Sequence, residues 1–365
     1  MTDHMDRRGF LKAGAVAAVG SALSSALAQT TQPTTAPDTQ PATAPSTQPI
    51  TAPQTQPAGR MAWAALLHLS YNMWCDWDSP ERAGRHGVYR PDLRFDRAVW
   101  DDLLRQMANV GMNMVVIDLG DGVQYESHPE IAVKNAWTPE QLRTELAAVR
   151  RLGLEPIPKL NFSTTHDAWL GRYSRCVSTD AYYAVCRDLI AEVIRLFEKP
   201  RFFHLGMDEE WAQDQRDYQY IVVRQHDLWW HDLYLYVDEV AKGGSRPWIW
   251  SDHLWRHPEE FYAKMPKSVV QSNWYYETKF EKDVTPVKAY DDLEVHGYDQ
   301  IPTGSNWTSP DNFGLTVEYG RRHVAPERLL GFLQTVWQPT LEVCRKTHTE
   351  AIDQAGKAIA AFTAK

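Results

Sequence analysis

The chain has 365 residues, with 47 acidic against 38 basic side chains and a formal net charge of −9. That balance excludes the basic stripe a nucleic-acid binder needs, and past residue 61 no apolar run reaches the length of a membrane span. The four cysteines, Cys75, Cys176, Cys186 and Cys344, show neither a CxxC pair nor Cys/His metal spacing, so no metal and no cofactor are expected.

Residues 1–28 carry the order of an export signal: Arg7 and Arg8, then Phe10-Leu11-Lys12, an apolar stretch of small residues, and Ala26-Leu27-Ala28 as a cleavage site. Paired arginines followed by Phe-Leu-Lys resemble a twin-arginine (Tat) signal. The Tat translocon is therefore the expected export partner, the periplasm or the extracellular space the expected destination, and an uncleaved signal the one expected membrane contact. Tat cargo typically folds before export, in a reducing compartment, so the nearest cysteine pair, Cys176 and Cys186, is expected to need no disulfide. Residues 29–60 repeat Thr-Gln-Pro and Thr-Ala-Pro with almost no bulky apolar side chain. Such a segment cannot bury a core and reads as a disordered, extended linker. From 61 to 365 the composition is globular, and all 15 tryptophans lie there.

In that domain apolar runs alternate with stretches of helical period, the pattern of βα units around a parallel sheet. Residues 63–74 read as a first strand and 95–111 as the helix after it; 112–122 is the second strand, and 138–153 the next helix, opened by Thr138 and closed by Gly153. Strand three is 154–163, with its helix at 181–197. Strand four is 201–207, with its helix at 226–244. The remaining strands read at 246–252, 268–276, 293–300 and 329–337, before a terminal helix at 340–362. Eight strands with intervening helices predict an α/β fold, a (β/α)8 TIM barrel of one catalytic-type domain, with its site at the C-terminal strand ends. A doubly wound open sheet would alternate similarly, but no GxGxxG or GxxxxGK[ST] follows any strand.

The strand ends then bring together Tyr71, Asn72 and Trp74, Asp118 and Asp121, His166 and Trp169, the run His204 to Glu209, Trp250 and Asp252, Asn273 and Trp274, Tyr298 and Asp299, and Trp337. Aromatic rings and carboxylates on one rim suit a sugar, whose apolar faces stack on indoles and whose glycosidic bond needs a positioned acid. Read singly, His166 and His204 are buried core histidines, Asp118 and Asp121 are caps or loop residues, and Glu210 is a surface or supporting acid.

The strand-four run "HLGMDEEW" resembles the His-x-Gly-Gly-Asp-Glu signature of family 20 glycoside hydrolases, the β-N-acetylhexosaminidases. The order around it agrees, with His166 after strand three, "WSD" at strand five, "QSNW" at strand six, "GYD" at strand seven and "TVW" at strand eight. The resemblance implies a carbohydrate substrate and a retaining, substrate-assisted mechanism. In it Glu209 is the general acid, and Asp208 orients the substrate's 2-acetamido group, which attacks the anomeric carbon. Tyr298 would bond the acetamido carbonyl, and Trp250, Trp274 and Trp337 would wall its pocket; His166, His204, Asp252, Asp299 and Tyr71 complete the expected substrate contacts. The chain departs from the pattern at Met207, in place of a second glycine, at Tyr71, in place of a sugar-binding arginine, and after Trp337, where "QPT" replaces a nearby glutamate. Three other readings stand beside it: a two-carboxylate glycosidase with Glu209 as acid/base and Asp299 as nucleophile, a non-catalytic carbohydrate-binding protein, and a metal-dependent hydrolase, against which His68-Leu69-Ser70 lacks a paired-histidine start.

Overall fold

The structure, a computed structural model, describes residues 60–82 and 84–364. The signal at 1–28 and all of the linker but Arg60 lie outside the described residues. Eight parallel strands form a barrel: β1 (Ala62–His68), β2 (Met114–Asp118), β3 (Glu155–Lys159), β4 (Phe202–His204), β5 (Arg246–Trp250), β6 (Val270–Ser272), β7 (Thr303–Ser305) and β8 (Gly331–Thr335). Helices follow the strands in turn: α1 (Arg97–Asn109), α2 (Pro139–Arg151), α3 (Asp180–Leu196), α4 (Asp227–Lys242), α5 (Pro258–Lys264), α6 (Thr285–Val295), α7 (Asn312–His323) and α8 (Arg345–Thr363). The fold is a TIM barrel.

Local chemistry sets the helix starts. Asp96 accepts the Ala98 and Val99 N–H groups ahead of α1, and Thr138 with Gln141 forms a reciprocal capping box on α2. The apolar stripes of these helices pack on the outer face of the sheet, and a second cluster fills the barrel itself, with Ala64, Leu66, Val116, Ile157, Phe202, Trp248 and Leu333 among its members.

The ladder runs unbroken from β6 through β1 to β7. Between β6 and β7 the barrel is drawn together by the Gln271 N–H donating to Asp299 O, the Ile301 N–H to Gln271 O and the Thr303 N–H to Asn273 O, at 2.9–3.0 Å. Here the structure corrects the sequence reading. The strand expected at 293–300 is instead the end of α6 and the turn after it, while β7 lies at Thr303–Ser305. Val287, Tyr290 and Leu293 recur at helical spacing and are buried, and Gly297, at φ 71°, ends the helix in a conformation that favours glycine. The true strand, Thr-Gly-Ser, has no apolar residue to betray it.

Candidate active site

The acids posed by the sequence sit on a tight turn at the end of β4. Gly206, Met207 and Glu209 adopt left-handed φ values of 75°, 75° and 52°. At Gly206 a Cβ would lie 1.8 Å from Asn161 Oδ1, so the position accepts only glycine. Met207 keeps a backbone conformation natural to glycine, a strain of about 1–3 kcal/mol, and it buries its side chain with the sulfur 3.6 Å from Arg224 Nη2.

This turn gives the three neighbouring carboxyls separate surroundings. Asp208 is buried, and its Oδ1 accepts from Asn161 Nδ2 at 3.0 Å and faces His166 Nδ1 at 3.1 Å. Glu209 lies with its carboxylate 3.6 Å from His166 Nε2, and its backbone N–H donates to Asp252 Oδ2 at 2.9 Å. Glu210 turns away from the mouth, pairs with the buried Arg224 and accepts the Thr164 N–H at 3.1 Å. It is a buried ion-paired group rather than a surface acid.

Burial alone would raise the Asp208 pKa, but the His166 imidazole, the Lys159 ammonium and the Asn161 amide outweigh it and hold the carboxyl well below the usual range. His166 moves the other way: burial disfavours its charge, yet Asp208 and then Glu209 raise its pKa. Asp252 is pushed well above the carboxylate range, by burial first and by the Asp208 charge second. The site thus pushes two neighbouring carboxyls in opposite directions, the kind of divergence that acid–base chemistry uses. Donor atoms of His166, Asp208 and Glu209 lie within 4.8 Å of one another, close enough to hold a metal ion. With Nδ1 facing Asp208 at 3.1 Å and Nε2 facing Glu209 at 3.6 Å, His166 bridges the two carboxyls.

Aromatic rings close the opposite side. Trp337, at φ 56°, has its ring 5.8 Å from Trp250 and 5.9 Å from Trp74, and its Nε1 donates to Tyr276 Oη at 3.0 Å. Trp274 stacks on Tyr276 at 5.1 Å and donates its Nε1 to Asp252 Oδ1 at 3.3 Å. Trp74 meets His166 edge-on at 4.5 Å. Acids and indoles therefore share one mouth, with Asp252 touching both sets.

Of the residues expected at the site, Asp208, Glu209, His166, Asp252, Trp250, Trp274, Trp337 and Tyr71 are brought together. Tyr71 donates its hydroxyl to Trp337 O at 2.6 Å and packs edge-on against His68. His204 lies deeper, fully buried, with its Nδ1 accepting the Gly206 N–H. Tyr298 and Asp299 are not part of the site. Tyr298 is buried at the N-terminal end of β7 and bonds Met265 O, while Asp299 pairs with Arg246, the first residue of β5, at 2.8 Å. Both belong to the face of the barrel opposite the mouth, because the strand they were assigned to begins after them. Neither Asp118 nor Asp121 caps a helix: Asp118 closes β2, and Asp121 is a loop residue in the turn after it. Asp118 is buried beside Lys159, and Asp121 is buried among Ser70 and Asn72, its pKa raised to about 7 by burial. Asn161, Lys159 and Tyr276 are additions. Tyr276 lay in view, two residues past Trp274, and Asn161 two residues past the end of β3; Lys159 carried no motif. Cys75, Cys176, Cys186 and Cys344 are free thiols.

The fold and this mouth define a TIM barrel with a candidate active site at the C-terminal strand ends. No protein-family profile matches the chain, and no curated protein matches it in sequence. Solved structures match it in fold. One is a GH20 exo β-N-acetylglucosaminidase from Vibrio harveyi in complex with N-acetylglucosamine, at TM-score 0.53 and 14% identity, covering 80% of this chain and 54% of that one. A mutant Streptomyces plicatus β-hexosaminidase in complex with GlcNAc gives TM-score 0.54 and 14% identity over 81% and 64%. A Flavobacterium johnsoniae chitobiase gives 0.53 and 18% over 83% and 51%. The chain thus spans between about half and two thirds of the length of these structures.

Proposed function

We propose that this chain is an exported glycoside hydrolase of the β-N-acetylhexosaminidase type, acting by substrate assistance. The observation that carries the reading is the turn after β4. It points Asp208 and Glu209 into one aromatic-walled mouth, links them through His166 and fixes the Glu209 backbone on Asp252. The likeness of fold to hexosaminidases supports it. So does the position of Asp299 at the far end of the barrel, out of reach as the nucleophile of the two-carboxylate alternative.

In this mechanism ionised Asp208 accepts the N–H of the substrate's 2-acetamido group. Tyr276 takes the part that the resemblance implied for Tyr298 and donates its hydroxyl to the acetamido carbonyl. The carbonyl oxygen then forms the bond to the anomeric carbon while Glu209 passes a proton to the departing oxygen. Water later opens the cyclic intermediate with Glu209 as base, and the configuration is retained. His166 spans the two acids and can hold the proton between them. With Tyr71 bonded to Trp337 O in place of an arginine, the terminal sugar's hydroxyls are met by different groups from those the resemblance implies.

Hydrolysis of an aryl β-N-acetylglucosaminide by the wild type, lowered by about 10²–10⁴-fold in Glu209→Gln and by about 10²–10³-fold in Asp208→Asn, is the expected result. Sugar binding without turnover, equal in all three proteins, would replace the enzyme with a carbohydrate-binding protein.

A further inference from the structure

β1 to β4 end on His68, Asp118, Lys159 and His204, and the parallel register pairs each with the next. Residues paired in register share a face of the sheet, so the four form one row across the barrel interior, none more than 1% exposed. Lys159 Nζ lies 2.5 Å from Asp118 Oδ2, and His68 Nδ1 is 3.5 Å from the same oxygen. His204 accepts the Gly206 N–H on Nδ1, which leaves its proton on Nε2. Burial, and after it the Lys159 charge, hold this ring neutral. Asn161, two residues beyond Lys159 and on the same face, is the residue that donates to Asp208. The ion pair is therefore the layer of side chains beneath the Asp208 carboxyl.

TIM-barrel interiors are filled mainly by branched apolar residues, as the layers below this row are. A buried ion pair seldom stabilises a fold more than apolar side chains of the same volume would. Stability is thus a poor reason for a lysine here, whereas the charge above it is a good one. The groups acting on Asp208 are Asn161 and Lys159 from β3 and just past it, His166 from the loop after β3, His204 and Glu209 from β4 and its turn, and Asp252 from the loop after β5. Only Lys159 and His166 among these supply positive charge.

We propose that Lys159 is a positioning residue for Asp208: its ammonium, anchored by Asp118 in the layer below, keeps the buried Asp208 carboxyl ionised and ready to receive the substrate N–H. The catalytic use of that carboxylate rests on the function proposed above, but its ionisation can be read without turnover. The Asp208 side-chain carbon is followed by ¹³C NMR in the full chain labelled at aspartate, its signal identified by its loss in Asp208→Asn. In the wild type and in Asp118→Asn, Asp208 stays ionised down to the acid limit of folding. In Lys159→Met, and in the Asp118→Asn/Lys159→Met double variant, which leaves no unpaired buried charge and so folds if the single variant does not, Asp208 takes up its proton inside the folded range. That change corresponds to a protonated fraction at least about tenfold higher at a given acidic pH. A purely structural lysine would lower stability and leave this titration where it was, and Asp208 still ionised in both Lys159 variants would overturn the proposal. A moved titration in a chain that cleaves no glycoside would keep the role of Lys159 and remove the hydrolase. Glycoside cleavage with an unmoved titration would do the reverse.

Discussion

On its β1–β4 side the barrel ends in ionisable groups, His68, Asp118, Lys159, His204 and then Asp208, while on its β6–β8 side it ends in Trp274, Tyr276, Thr335 and Trp337. The backbone pairing follows that division only in part, since β3 and β4 share the single pair Lys159 with His204. β1 and β2 pair over five residues, whereas β6 and β7 are three residues each and meet only through isolated bridges and single hydrogen bonds. Charge inside a barrel is tolerated only where neighbouring groups are held in fixed register to compensate it. Rings can close a mouth with less exact support, because apolar contact is not directional. The division teaches that proton handling belongs to one wall and shape to the other, with Asp252 as the hinge between them.

The change that strikes the ionic wall hardest is Gly206→Ala. Its Cβ would displace Asn161, the amide that holds Asp208; we expect a loss of about 2–4 kcal/mol in chemical denaturation, with turnover falling at least as far as in Asp208→Asn. On the aromatic wall, Tyr276→Phe should lower kcat about 10- to 100-fold, the worth of one hydrogen bond to a developing charge, with Trp337 still in place by near-UV circular dichroism. An unchanged kcat would return the acetamido carbonyl to another donor.

The pairing of Asp208 with His166 should be legible in the pH dependence of stability. Asp208 is depressed from 3.8, so its contribution is complete above that value and lost as the pH falls through the lower folded pKa. His166 is raised from 6.5, so its contribution is complete below that value and lost as the pH rises through the higher folded pKa. The Tm difference between wild type and His166→Gln should therefore be widest between 3.8 and 6.5 and narrow on both sides; a difference that does not vary with pH would remove the ion pair. The smallest effect is expected at the far face. Asp299→Asn, which breaks only the contact with Arg246, should leave kcat/KM within about twofold, as expected for a partly exposed ion pair.

Much of this was readable in the residues. β1, β2, β4 and β5 announce themselves by dense apolar runs, α2 by its capping box, and the β4 turn by a Gly-Met-Asp-Glu run whose left-handed backbone explains both the glycine and the strain at Met207. β7 was not readable. Its three residues are small and polar, and its place is fixed by hydrogen bonds to the β6 segment and by packing of Gly304 on α7, both non-local. That one misplaced strand carried Tyr298 and Asp299 to the wrong end of the barrel. Lys159 was hidden for a related reason. A lysine closing "EPIPK" looks like the solvated end of a strand, and only the register with Asp118 and His204 turns it inward.

The substrate's own acetamido group is the nucleophile in the proposed reaction, and substrates that lack it test this directly. We would measure kcat/KM of the wild-type chain on aryl β-glycosides in matched pairs, with and without the 2-acetamido group. Cleavage confined to the acetamido member of each pair is the predicted result. Comparable cleavage of the plain glycosides would contradict it, because it would require an enzyme nucleophile that the far-end placement of Asp299 does not supply.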